Sequence, residues 1–153
     1  MNAFISLTFL IHISCSLYRD PDHLHYTILS ILTDGELQNK EKTIRSIVDQ
    51  ADAPLSIVIV GVKEEEKNNL IYEDMRELDG DDVRLSYRTE EGNVVTAVRD
   101  IVQFTEFKKG MPATALAEKV LQEIPDQILS HFEMVGKYPK AFLESIGAIT
   151  IEV

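Results

Sequence analysis

The chain predicts a mixed α/β domain built on a mostly parallel, doubly wound sheet, and three observations carry that expectation. Leu55 to Val62 contains Ser56-Ile-Val-Ile-Val-Gly61, an unbroken β-branched run of the kind found in parallel strands covered on both faces. Along the chain, apolar runs alternate with stretches of helical periodicity, strand then helix, which is the order of a doubly wound sheet. A length of 153 residues with 44% apolar content suits one domain with a real core and is too short for two ordinary ones.

The elements follow in order. Tyr26 to Leu32 reads as a strand, and Ile44, Ile47, Val48 and Ala51 then recur at helical spacing until Ala53-Pro54 ends that helix. Leu55 to Val62 is the strongest strand. Lys63 to Leu78 reads as a helix, with Glu64, Glu65 and Glu66 near the positive end of its dipole and Ile71, Met75 and Leu78 on one side. A turn at Asp79-Gly80-Asp81-Asp82 precedes a short strand, Val83 to Ser86, and a polar loop running through Gly92. Ile101 to Phe104 reads as another strand, and Ala113 to Val135 as one or two helices interrupted near Pro125. Phe104, Phe107, Leu121, Ile124, Ile128 and Phe132 follow strand and helix periods and are expected in the core.

Twenty-six acidic against fifteen basic residues give a net charge of −11, which repels nucleic-acid backbones and anionic lipid headgroups. No basic patch offsets it; Lys108-Lys109 is the nearest approach to one. The single cysteine, Cys15, rules out an internal disulfide and fits a reducing, cytoplasmic compartment. The apolar segment Phe4 to Ile13 is too short to span a bilayer as a helix. It ends in Ser14-Cys15-Ser16, a small-residue pattern like a signal-peptidase site, but lacks a positive n-region. Three readings stay open for residues 1–22: a signal peptide, a buried strand, or an unusual start of the reading frame.

Several stretches, in order, carry a resemblance: Ile31-Leu-Thr-Asp-Gly35, Pro54-Leu-Ser-Ile-Val-Ile-Val-Gly-Val62, Glu77-Leu-Asp-Gly-Asp-Asp-Val-Arg-Leu-Ser86, Arg99-Asp-Ile-Val-Gln-Phe104 and Glu123-Ile-Pro-Asp-Gln-Ile-Leu-Ser130. Together, over roughly Leu24 to Val135, they resemble the C-terminal half of the copine A domain, a von Willebrand factor A-like fold. The strand-Thr-Asp-Gly and Leu-Ser-Ile-Val stretches also resemble the related A domain of plant-type RING ubiquitin ligases, whereas Leu-Asp-Gly-Asp-Asp-Val-Arg favours copines. The implied fold is a partial doubly wound, Rossmann-like, von Willebrand A-type sheet with helices on both faces and its first strands missing. The implied division is an apolar segment at 1–22, the partial A domain at 23–135 and an extension at 136–153.

Asp34 is the candidate site residue. It lies where an α/β sheet puts its ligands, at the end of an apolar strand and before a turn glycine and a helix. The resemblance implies that such an aspartate joins an Asp-x-Ser-x-Ser loop and a threonine in holding a divalent cation. Those partners belong to the half of the domain this sequence lacks, so Asp34 is expected to be the remnant of an incomplete metal site. Mg²⁺ wants six oxygens in near-octahedral array, and one carboxylate holds it only weakly. No cofactor is therefore expected, and Mg²⁺ or Ca²⁺ only if other ligands are supplied. His12-Ile13-Ser14-Cys15-Ser16 has the Asp-x-Ser-x-Ser spacing, but histidine is a poor Mg²⁺ ligand and the segment is too close to Asp34 in sequence. Asp79, Asp81 and Asp82 do not have EF-hand spacing and read as a solvated turn at the opposite pole, with Gly80 as the helix C-terminal glycine. His23 and His25 read as surface histidines without further zinc ligands nearby, and Cys15 as a buried structural thiol. No Walker loop, dinucleotide fingerprint, nucleophile elbow or zinc-protease motif occurs, and an enzyme is not expected.

The resemblance implies a non-catalytic protein-interaction module. Full-length copines combine calcium-dependent phospholipid-binding C2 domains with an A domain that recruits proteins. These residues are expected to contain no C2 domain, and so to bind membranes only through partners. The alternatives are a substrate-recognition fragment of a ligase-type A domain and a truncated product without independent activity. The family's strand order leaves Tyr26 to Leu32 as an open sheet edge. That edge is expected to pair with another chain, a full-length relative or a second copy, unless Phe4 to Ile13 folds over it.

Overall fold

The computed structural model describes residues 25–35, 37, 39–62, 72–80 and 83–136. Its strands are β1 (Thr27–Thr33), β2 (Leu55–Gly61), β3 (Ser86–Arg88), β4 (Val94–Thr96) and β5 (Val102–Glu106). Its helices are α1 (Lys40–Asp49), α2 (Glu73–Asp79), α3 (Ala113–Val120) and α4 (Ile124–Val135). β1, β2 and β5 form a parallel sheet in the order β1-β2-β5, with Thr27 opposite Leu55 and Thr33 opposite Gly61, and Ile57 opposite Val102. Every residue of β2 is buried, as its unbroken apolar run requires of a strand with neighbours on both edges and layers on both faces.

Alternation along β2 and β5 divides the core. Ile57, Ile59, Val102 and Phe104 face one layer, where Ile47, Val48 and Ala51 of the α1 region meet Tyr72, Met75 and Leu78 of the α2 region. Val58 and Val60 face the other layer, made by Ile124 with Leu116, Val120 and Ile128 of α3 and α4. Helices therefore cover both faces. Asn39 caps α1 by accepting from the Lys42 N–H at 3.1 Å, in place of the missing first-turn carbonyl partners. The α2 helix ends on Gly80 at φ +71, a left-handed position that costs a side-chain-bearing residue. Gly61 is required for a different reason. A Cβ there would lie 2.6 Å from Cζ of the buried Tyr72 ring, so the strand end must stay bare for that ring to pack.

Three expectations need correction. The strand foreseen at Val83 to Ser86 and the polar loop after it are an antiparallel hairpin, β3 with β4, in which Ser86 faces Thr96 and Arg88 faces Val94. Its turn is closed by Thr89 N–H to Asn93 O and Gly92 N–H to Thr89 O, at 2.8 and 2.9 Å. As expected, the helical stretch from Ala113 is interrupted near Pro125: it divides into α3 and α4, and Pro125 occupies the first turn of α4, where its missing N–H has no intrahelical role. Asp79 is not a solvated turn residue: it is buried and accepts the backbone N–H of Phe104, tying the end of α2 to β5. Phe107 and Leu121 are 40% and 51% exposed, because both lie just past the element whose period suggested burial. The helix expected from Lys63 is described only from Glu73. Residues 1–22, His23, Asp81, Asp82 and 137–153, with every expectation placed on them, lie outside the described residues.

Candidate functional site

At the carboxyl end of the sheet, β1 closes on Thr33, whose carbonyl accepts Val62 N–H at 2.9 Å while its hydroxyl accepts Gly35 N–H at 3.1 Å. These two bonds turn the chain and leave the exposed Asp34 at the strand end, where its sequence position placed it. The carboxylate on the far strand, Glu106, is engaged by the Arg76 guanidinium. Among the described residues no three His, Cys, Asp or Glu side chains converge in a way that could hold a metal ion. Residues 36 and 38, next to Asp34 in sequence, lie outside the described residues. The described His25 is exposed, one residue before Tyr26 at the opposite end of β1.

The long edge of β1 is the second feature. Thr27 N–H bonds Pro54 O and Thr33 O accepts from Val62, so the odd-numbered residues turn their backbone groups toward β2. By the alternation of a strand, Ile28, Ser30 and Leu32 turn their N–H and C=O groups the other way, and β1 is the outer strand of the described sheet. The side chains alternate as well. Leu29 and Ile31 pack on the α1 and α2 layer, whereas Ile28 is 45% and Leu32 73% exposed on the other face. Thr27 to Thr33 contains no charged residue and no proline, the devices by which sheet edges are ordinarily protected from pairing.

Sequence reasoning missed the most connected polar group. Arg99 is only 5% exposed. Its guanidinium donates to Tyr26 Oη at 3.2 Å, to Gln127 O at 3.1 Å, to Leu55 O at 2.9 Å and to Ala53 O. It also stands 5.8 Å from the Tyr26 ring centroid, a cation–π distance. Gln127 in turn donates to Val102 O at 3.2 Å. Arg99, Gln127 and Asp79 each lie within one of the stretches that carry the resemblance, and each ties its own stretch to another. Arg99 and Gln127 thus act as joints at the amino end of the sheet, away from Asp34, and Asp79 as a joint against the middle of β5. The available signal was an arginine immediately before a strand in an otherwise acidic chain. Beside this network, burial first and the Arg99 charge second depress the His131 pKa below the usual histidine value; its imidazole stacks edge-on with Tyr26 at 5.8 Å.

Comparison with known proteins agrees with the architecture. A family model described as Copine matches residues 9–140. Copine-C of Dictyostelium discoideum is 43% identical over 123 residues, covering 79% of this chain and 21% of that protein. Copine-E of the same organism is 44% identical over 122 residues, covering 78% of this chain and 20% of its own length. The chain thus spans about a fifth of the length of these curated relatives. A parallel sheet between helical layers, joints drawn from the stretches that suggested the family, and a match across most of the sequence lead to one conclusion: the chain belongs to the copine family.

Proposed function

We propose that this chain is a non-catalytic protein-interaction module that binds partners along the β1 edge. The observation that carries it is the uncharged outer strand of the described sheet, with Ile28 and Leu32 exposed beside backbone N–H and C=O groups turned away from β2. Such an edge supplies main-chain hydrogen bonds for an incoming strand, while alternate side chains give selectivity. The charge of −11 supports partners that are neither nucleic acid nor anionic membrane, because it opposes the approach of both. A lone carboxylate holds a hard cation only weakly, which is the reason for reading Asp34 as a site without a resident cation, and the single cysteine supports residence in the cytoplasm. Among the described residues no helix is long and apolar enough to cross a membrane. Calcium-driven phospholipid binding belongs to C2 domains in the family resemblance and is not proposed for these residues.

The test compares proteins captured on the immobilised chain with those captured on its Leu32→Lys variant, a substitution at an exposed side chain. The wild type is expected to retain a set of proteins that the variant loses. Identical capture by both would refute binding at this edge.

A further inference from the structure

We propose that the β1 edge binds a second copy of this chain, the two β1 strands running antiparallel about a two-fold axis at Ser30. The inference rests on the reading that this edge is where partners bind, and it names the occupant. It comes from the strand itself. A two-fold interface must be self-complementary, each position meeting its mirror position in the partner. Thr27-Ile-Leu-Ser-Ile-Leu-Thr33 has that property: read from either end it is threonine, two branched aliphatics, serine, two branched aliphatics, threonine. Centred on Ser30, the pairing sets Thr27 against Thr33, Ile28 against Leu32 and Leu29 against Ile31 of the second copy.

The backbone satisfies the same symmetry. Ile28, Ser30 and Leu32 are the residues whose N–H and C=O groups turn away from β2, so Ser30 exchanges both bonds with its counterpart while Ile28 does so with Leu32. These are the closely bonded pairs of an antiparallel ladder. The exposed side chains agree as well, since Ile28 and Leu32 lie on one face and become cross-strand neighbours, removing apolar surface that each copy alone leaves in water. No charge within the strand opposes the pairing. The overall charge of −11 on each copy does, so association must strengthen as salt screens it.

The test is sedimentation equilibrium of the full chain from about 1 to 100 μM, together with register mapping by cysteine oxidation. A monomer–dimer equilibrium is expected, tighter at higher salt. Ser30→Lys places two ammonium groups face to face on the axis and should weaken the dimer about tenfold or more. Its mixture with Ser30→Asp should recover a heterodimer, which a misfolded variant could not do. In a Cys15→Ser background, Ser30→Cys should form a disulfide dimer, because directly bonded partners sit about 5.5 Å apart between Cα atoms. Ile28→Cys should not, since two copies of that residue lie about 14 Å apart in this register, whereas Ile28→Cys mixed with Leu32→Cys should. A chain that stays monomeric throughout the range overturns the proposal, whether or not its edge amides are protected by another segment. So does equal crosslinking at residues 28 and 30, the mark of a parallel pair. A monomer that still captures other proteins through Leu32 would sink this inference and leave the proposed function standing.

Discussion

Replacing Arg99 separates two roles, the charge and the shape of its guanidinium. Its donors reach Tyr26 Oη, Gln127 O, Leu55 O and Ala53 O, yet none of these acceptors depends on Arg99 alone. Ala53 O keeps Leu55 N–H at 2.7 Å, Leu55 O keeps the Tyr26 hydroxyl at 3.1 Å, Gln127 O keeps the Ser130 hydroxyl at 2.9 Å, and Tyr26 Oη keeps Ser56 Oγ at 2.8 Å. Arg99→Met therefore loses its bonds without orphaning a buried oxygen, and it removes a buried charge whose desolvation opposes folding. At the lower end of the range per hydrogen bond, the cost is about 2 to 4 kcal/mol. Arg99→Lys keeps the charge but presents a compact ammonium that cannot span the same oxygens, so it should be about 1 kcal/mol worse than methionine. Urea unfolding followed by far-ultraviolet circular dichroism at one fixed protein concentration reads both values. Arg99→Lys unfolding at the same midpoint as wild type would show that charge alone suffices and refute the reasoning.

Three further outcomes follow from the geometry. Gly61→Ala should cost about 1 to 3 kcal/mol, because its Cβ meets the buried Tyr72 ring; adding Tyr72→Leu should recover part of that loss, measured by the same unfolding assay as a non-additive cycle. The depressed His131 pKa means that the unfolded chain binds a proton more readily than the folded one; stability is then fully present above the ordinary value of 6.5 and falls as pH drops through the interval down to the folded value. His131→Gln should flatten the unfolding midpoint between about pH 7 and 5.5, and an unchanged slope would exclude this histidine as its source. Calorimetry with Mg²⁺ or Mn²⁺ should show no site tighter than about millimolar, in wild type and Asp34→Ala alike. Micromolar binding lost in Asp34→Ala would mean that further ligands converge there.

Much of the fold was written in local pattern. β2 announced itself because burial on both faces removes any need for alternation, so its run is apolar throughout. The helix stop at Gly80 and the helix start at Pro125 were legible because each residue has one backbone reason to be there. The β3 and β4 hairpin was not, since strands this short carry too few residues to show a period of two. Phe107 and Leu121 misled for the opposite reason: a period continues past the point where an element ends, but burial does not.

By itself the sequence determined the α/β class, the family and the position of Asp34 at a strand end, because periodicity, turn residues and short family-like stretches are local properties. Only the tertiary structure decided what those stretches do. Arg99 reaches oxygens at Tyr26, Ala53, Leu55 and Gln127, and Asp79 reaches Phe104, across separations that no local pattern encodes. It also decided that β1 is the outer strand of the described sheet with Ile28 and Leu32 exposed, since whether an apolar run has neighbours on both sides depends on how the chain returns to it.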